Sequence, residues 1–115
     1  MYQPSTGFSN IAPSATDSNI VSAVPGKRIR VVGGWAVAAG TATNITFNTK
    51  PTGSGVAISS TIYCGINGGI CWPSPDGMPT GEPPIGYFET SVGEGLTATT
   101  GAGASVGVTV RYITI

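Results

Sequence analysis

The chain has 115 residues, a length that suits one domain, and 40% of them are hydrophobic, which excludes a disordered protein. Only 9% are charged, five basic against five acidic residues. Nucleic acid is excluded as an expected partner, because the one basic cluster (Lys27, Arg28 and Arg30) would neutralise few phosphates. No apolar run approaches the ~20 residues of a membrane-spanning helix, and the start lacks the regions of a signal peptide. We expect synthesis in a cytosol, without a membrane partner.

The N-terminal segment, residues 1–18, contains proline, glycine and small polar residues and shows no hydrophobic periodicity. We predict an extended arm outside the folded domain. Two interpretations stay open: a loose terminus, or an arm that lies on a neighbouring subunit and orders on contact. In the second case Tyr2, Phe8 and Ile11 are its apolar contact residues.

Eighteen glycines and nine prolines punctuate the chain, a composition typical of short strands and tight turns. Between them, apolar and polar residues alternate with the period of two that marks a strand with one buried face. The pair Gly33–Gly34 predicts a bulge or bend inside one long strand, and Trp35 is predicted to lie in the core. The predicted strands are 19–24, 27–39, 43–49, 56–64, 70–72, 85–90, 94–100 and 104–115.

The last strand is the clearest, because Val106, Val108, Val110 and Tyr112 share one parity. A strand this regular needs neighbours on both sides to satisfy its backbone. It is therefore predicted to be central and to pair with an early strand. Strands spaced by ~8–12 residues, with no helical pattern, indicate a sandwich. The prediction for 19–115 is a single all-β domain, a β-sandwich with the topology of an eight-stranded jelly roll.

The residue types of most active sites are missing or dispersed. There is no histidine, which removes the usual general base and the commonest metal ligand. Glu89 and Glu94 flank a turn, and we expect both to face water; Glu94 is interpreted as a turn carboxylate that accepts backbone N–H bonds. We predict that the chain is not an enzyme and binds no metal or cofactor.

Cys64 and Cys71 are separated by six residues that include the turn dipeptide Asn67–Gly68. A hairpin at this turn would bring the two thiols face to face, so a disulfide is geometrically plausible. The alternative is two buried free thiols, which suits synthesis in a cytosol, and we favour it. A zinc site is excluded, because two thiols leave two coordination positions empty.

The most distinctive surface element is the proline-rich stretch 73–84. A loop of this length usually has a function or lies against a partner. Trp72, just before it, is a candidate contact residue if exposed, and Met78 within it is another. Trp72 could equally close one end of the sandwich.

The second half carries a recurring pattern: PIGYFET at 84–90, then GEGLTA at 93–98, then SVGVTVRY at 105–112. This pattern resembles small structural proteins of tailed bacteriophages, in which a strand of the form P-x-G-x-F-x-T precedes G-E-x-L and a last strand ends in V-x-Y. The first half matches more loosely, through 26–32 and 45–47. Members of this group look like capsid decoration (cement) proteins or tail-associated β-modules.

The resemblance implies a capsid decoration protein that binds the outer capsid surface and stabilises the shell. Its expected partners are the major capsid protein and copies of itself, as a homotrimer. Its expected location is the virion, after synthesis in the host bacterial cytoplasm. Two alternatives stay open: a tail, fibre or baseplate module, and a carbohydrate-binding sandwich, which would need exposed aromatic side chains in a groove.

Overall fold

A computed structural model describes residues 4–73 and 85–115. These residues form an all-β protein with ten strands, where eight or nine were predicted, and no helix. None of the described segments is a helix of the length and apolarity needed to cross a membrane. The strands are β1 (Ser5–Ile11), β2 (Ser18–Val21), β3 (Ile29–Ala38), β4 (Thr43–Lys50), β5 (Val56–Ala57), β6 (Ile62–Cys64), β7 (Gly69–Trp72), β8 (Phe88–Glu89), β9 (Gly95–Thr100) and β10 (Val106–Thr114).

The strands form two antiparallel sheets that pack face to face, as predicted for a β-sandwich. Sheet A has the order β1-β10-β3-β7, with β8 also paired to β3. Sheet B has the order β2-β9-β4-β5, with β6 also paired to β4. Successive strands mostly alternate between the sheets, so most pairings join residues far apart in sequence.

The last strand lies in the middle of sheet A, as its pattern predicted. β10 pairs with β1 on one side and with β3 on the other. Val106, Val108 and Val110 point into the core and are almost fully buried. Two neighbours satisfy its backbone groups, and the inward valines account for its regular alternation.

The expectation of an N-terminal arm outside the folded domain is wrong. Residues Ser5–Ile11 are strand β1, which pairs with β10 over seven consecutive positions. Ile11 is buried in the protein's own core, so its side chain is not an arm contact. The pattern went unrecognised because small residues occupy the other inward positions, Gly7 and Ser9. Removing residues 1–15 would therefore take an edge strand out of the sandwich.

A bulge in β3 reverses the side-chain pattern of that strand. Arg111 pairs with Gly33 and Tyr112 pairs with Val31, so Val32 is the extra residue. One extra residue moves every following side chain to the opposite face. Ile29 and Val31 thus point inward before the bulge, and Ala36 and Ala38 do so after it.

The bulge corrects the expectation for Trp35. A bulge was predicted at the glycine pair, but the parity of the strand was carried through it unchanged. With the reversal included, Trp35 points outward and half of its side-chain surface is exposed, 50%. The core aromatic on this side of the sandwich is instead Trp72.

Three aromatic side chains pack together in the core, Phe47, Trp72 and Phe88. Phe47 is fully buried and meets Trp72 edge to face, with ring centroids 5.5 Å apart, and stacks on Phe88 at 4.9 Å. Trp72 is 9% exposed. It therefore packs in the core between the sheets and is not an exposed contact residue.

The single strand predicted over 56–64 is wrong. The chain pairs with β4 only at its two ends, as β5 and β6. Between them the Ser59 hydroxyl accepts a hydrogen bond from the backbone N–H of Phe47 at 2.9 Å. A side chain thus replaces a backbone partner, which interrupts the ladder without leaving the N–H unsatisfied.

Candidate interaction surface

The outer face of sheet A carries a row of side chains that the strand register aligns. Phe8 pairs with Thr109, Thr109 pairs with Trp35, and Trp35 pairs with Cys71. Residues directly opposite each other in antiparallel strands project from the same face. These four side chains, one from each of β1, β10, β3 and β7, therefore form one row across the sheet, which we call the aromatic row.

The two aromatic side chains of this row are unusually exposed. Phe8 is 74% exposed and Trp35 50%. A single exposed apolar residue needs no explanation, but two in register on a flat sheet face form a patch of the kind that binds partners or ligands. Val37, two residues after Trp35 on the same face, extends the patch and is itself exposed.

The next row contains a glycine that the chain itself does not require. Asn10, Gly107 and Val37 are aligned in this row. A Cβ atom built on Gly107 would come no closer than 3.5 Å to any other heavy atom, an ordinary contact. Gly69, at the end of the same row, is different, because its Cβ would lie 1.8 Å from the carbonyl oxygen of Ala36. Gly107 therefore forms the floor of a hollow that a larger residue could have filled.

Polar groups beside this hollow have no partner within the described chain. Neither the Asn10 amide nor the Thr109 hydroxyl makes a side-chain hydrogen bond to residues 4–73 or 85–115. The nearest atom to the space above Gly107 is Oδ1 of Asn10. Arg111 is the one charged residue among the paired positions of β1, β10 and β3 from Gly33 to Ala38. The surface thus combines exposed aromatic rings, free hydrogen-bonding groups and little charge.

The outer face of sheet B is built differently. The Asp17 carboxylate accepts hydrogen bonds from Nδ2 of Asn48 at 3.1 Å, from the backbone N–H of Gly55 at 3.0 Å and from Oγ1 of Thr97 at 3.4 Å. Nδ2 of Asn48 also donates to Oγ1 of Thr99 at 2.9 Å. Asn48 and Thr97 are buried although they point away from the core. The residues around Asp17 cover this part of the sheet and satisfy its polar groups.

Of the five predicted contact residues, the structure puts one on the surface. Phe8 lies in the aromatic row, whereas Ile11 and Trp72 are buried. Tyr2 and Met78 lie outside the described residues. Sequence reasoning missed Trp35 and Val37 as surface residues, and the signal that could have found them is the bulge that it did predict.

The cysteines are free, as favoured, but only one is buried. Cys64 points into the core from β6 of sheet B, and burial raises the pKa of its thiol. Cys71 lies on the exposed outer face of sheet A. The expectation of a hairpin is wrong, because the turn at Asn67–Gly68 connects strands of different sheets. The two side chains therefore do not face each other.

The carboxylates make structural contacts. Glu89 accepts a hydrogen bond from Arg30 at 3.2 Å and lies 4.0 Å from Arg28. Glu94 accepts a hydrogen bond from the Thr49 hydroxyl at 2.7 Å. Its partner is thus a side chain, where backbone N–H groups were expected. Within the part of the chain that the structure describes, no cluster of Cys, Asp and Glu is arranged to hold a metal ion.

Comparison with known proteins gives no relative on which to base a function. No known protein family, no curated protein and no solved structure matches the chain.

Proposed function

We propose that this chain is a structural protein of a bacteriophage particle, a capsid decoration protein that binds the outer surface of the shell and stabilises it. Two observations support this proposal. The sequence pattern at 84–90, 93–98 and 105–112, on which the proposal mainly rests, resembles such proteins. The strand order is compatible with the jelly-roll fold that the resemblance implies, although a fold alone does not specify a function.

The jelly-roll interpretation rests on nested pairings. When the two-residue strands β5 and β8 are set aside, eight strands remain. They pair as β1 with β10, β2 with β9, β3 with β7 and β4 with β6, so that the chain runs as one long antiparallel ribbon. Folding this ribbon over itself adds the pairs β10 with β3 and β9 with β4. A ribbon of eight strands rolled into two sheets is the jelly roll.

A decoration protein acts through the area it buries. The molecule is a slab with extents of 43 × 33 × 19 Å, so each of its two broad faces exceeds the ~800 Å² that each partner contributes to a stable interface. Its net charge of zero leaves little repulsion between copies. Contacts to the major capsid protein, and among three copies of this chain, would hold the shell without any covalent step.

The direct test is made on purified particles of the phage that encodes this chain. We expect quantitative mass spectrometry to find hundreds of copies per particle, and we expect particle images to lose surface density when the gene is deleted. A handful of copies would indicate the alternative, a tail, fibre or baseplate module. Absence of the chain from intact particles would contradict both.

A further inference from the structure

We infer that the outer face of sheet A carries a binding site for a neutral saccharide, which lies over Thr109 between Phe8 and Trp35 and extends into the neighbouring hollow above Gly107. This inference goes beyond shell decoration and does not depend on it. It commits the surface to one class of ligand, a ring with apolar C–H faces and hydroxyl groups around its edge.

The spacing of the two aromatic side chains fits a sugar ring. Phe8 and Trp35 stand in one row with one strand between them. Strands lie ~4.8 Å apart, so the two Cα atoms are about 10 Å apart. A ring held between two aromatic faces needs about 7–8 Å, two van der Waals contacts of ~3.5–4.0 Å each. The gap therefore has the width for one sugar ring, above the small side chain of Thr109.

A glycine at position 107, in the interior of a central strand, also favours a ligand site. Glycine inside a strand costs roughly 0.5–1 kcal/mol relative to alanine, and a central strand such as β10 favours larger residues. Nothing within the described chain requires glycine at 107, since a Cβ there would have ordinary contacts. A glycine inside a strand often marks a bulge, a bend or a place where a ligand or another backbone approaches closely. The register has no bulge at Gly107, which favours close approach.

The polar groups on this face favour a saccharide over an apolar protein partner. An apolar protein surface laid on this face would bury the Asn10 amide and the Thr109 hydroxyl, which have no partner within the described residues, and unpaired burial of such groups is unfavourable. The hydroxyl groups of a sugar supply those hydrogen bonds while its C–H face covers the aromatic rings. A small number of polar groups beside aromatic walls is the usual composition of a ligand site.

The experiment uses the full-length purified chain and measures direct binding. The probes are hexasaccharides of glucose, galactose, mannose and N-acetylglucosamine, first immobilised on an array and then titrated in solution by isothermal calorimetry. We expect at least one of them to bind the wild-type chain. Because Trp35 is half exposed, we also expect that saccharide to protect tryptophan fluorescence from quenching by acrylamide.

Three variants locate the site. Trp35→Ala removes one wall, and Gly107→Val fills the hollow with a residue that suits a strand; each should lower the affinity by about tenfold or more. Gly107→Val is the sharper variant, because its melting temperature should equal or exceed that of the wild type. Tyr63→Ala is the matched control, since Tyr63 is also an exposed aromatic residue but lies on sheet B, and its affinity should be unchanged.

Several results would overturn the inference. One is the absence of binding by every hexasaccharide to the wild-type chain. Another is unchanged affinity in both Trp35→Ala and Gly107→Val, or an equal loss in Tyr63→Ala. A third combines two measurements: no saccharide binds, and light scattering finds the wild-type chain as an oligomer but Gly107→Val as a folded monomer. That result would make this face a subunit interface instead. The decoration function is tested on particles and would survive each of these results.

Discussion

The two outer faces of the sandwich use similar strands in opposite ways. On sheet B, Asp17 and its neighbours cover part of the sheet, and the polar side chains beneath them are hydrogen-bonded to one another. On sheet A, Phe8 and Trp35 are exposed, and the polar groups between and beside them have no partner in the described chain. The first face thus has polar side chains that are buried and paired, whereas the second leaves aromatic rings and polar groups open to solvent.

The comparison shows that a side chain can be buried on an outer face of the sandwich as well as in the core. Asn48 and Thr97 are as buried as many core residues although they point outward, because a loop and a single carboxylate cover them. Among the described residues, no buried side-chain nitrogen or oxygen lacks a hydrogen-bond partner. Polar side-chain atoms left without a partner are therefore accessible to solvent, and those of Asn10 and Thr109 lie beside the exposed rings of the aromatic row.

The largest effect is expected in the alkylation rates of the two thiols. Cys71 is on the exposed face and Cys64 is in the core, so in the native protein Cys64 should react only after unfolding. Given a stability of at least ~5 kcal/mol, Cys71 should be alkylated about a thousandfold faster or more. Timed iodoacetamide labelling followed by peptide mass spectrometry measures both rates, with the urea-unfolded chain as the control. Similar native rates would contradict the burial of Cys64.

The next largest effect is expected from Asp17→Ala. The substitution removes the acceptor for Asn48, Gly55 and Thr97, and it leaves alanine at a left-handed φ of 50°. An unsatisfied buried group costs ~1–3 kcal/mol and the left-handed backbone ~1–2 kcal/mol, so unfolding in urea should show a loss of about 2–5 kcal/mol.

Asp17→Asn is the matched control for this network. Asparagine tolerates the same backbone conformation and keeps one of the two acceptor oxygens. We expect it to lose about half as much stability as Asp17→Ala. Equal unfolding midpoints for wild type and Asp17→Ala would show that the cover on sheet B contributes no stability.

A dependence of stability on alkaline pH is expected from Cys64. Burial raises the pKa of this thiol above its value of 9.0 in the unfolded chain. Between the two pKa values the folded state binds more protons than the unfolded state, so the free energy of unfolding falls as pH rises. The contribution is complete below pH 9.0 and is lost as pH rises through the folded pKa. The free energy of unfolding, measured in urea from pH 8 to 10.5, should fall more steeply for wild type than for Cys64→Ala. Parallel curves would contradict the prediction.

The smallest effect on stability is expected from Trp35→Ala, although tryptophan is the largest side chain. Half of Trp35 is exposed and it belongs to no aromatic contact within the described residues. The free energy of unfolding should change by ~0.5 kcal/mol or less. Phe47→Ala gives the scale, since removal of this buried ring should cost about 3–5 kcal/mol. A loss above ~2 kcal/mol for Trp35→Ala would mean that the outer face of sheet A supports the fold after all.

Much of the fold was predictable because strand patterns are local. The alternation in β4 and β10 was visible in the sequence. β1 was not, because small residues at its inward positions remove the period of two. The candidate surface was not predictable, because it needs Phe8 and Trp35 to meet in one row across three strands, and that depends on register.

The sequence by itself determined the class of protein: an all-β sandwich without histidine, with a central last strand and surfaces poor in charge. These features follow from composition and from neighbours along the chain, which a sequence records directly. Only the tertiary structure decided which face each side chain of β3 uses, that Trp72 and not Trp35 fills the core, and that Gly107 lies beside two exposed rings. The physical reason is that a one-residue bulge reverses parity, and its position is fixed by pairing with a strand some eighty residues away.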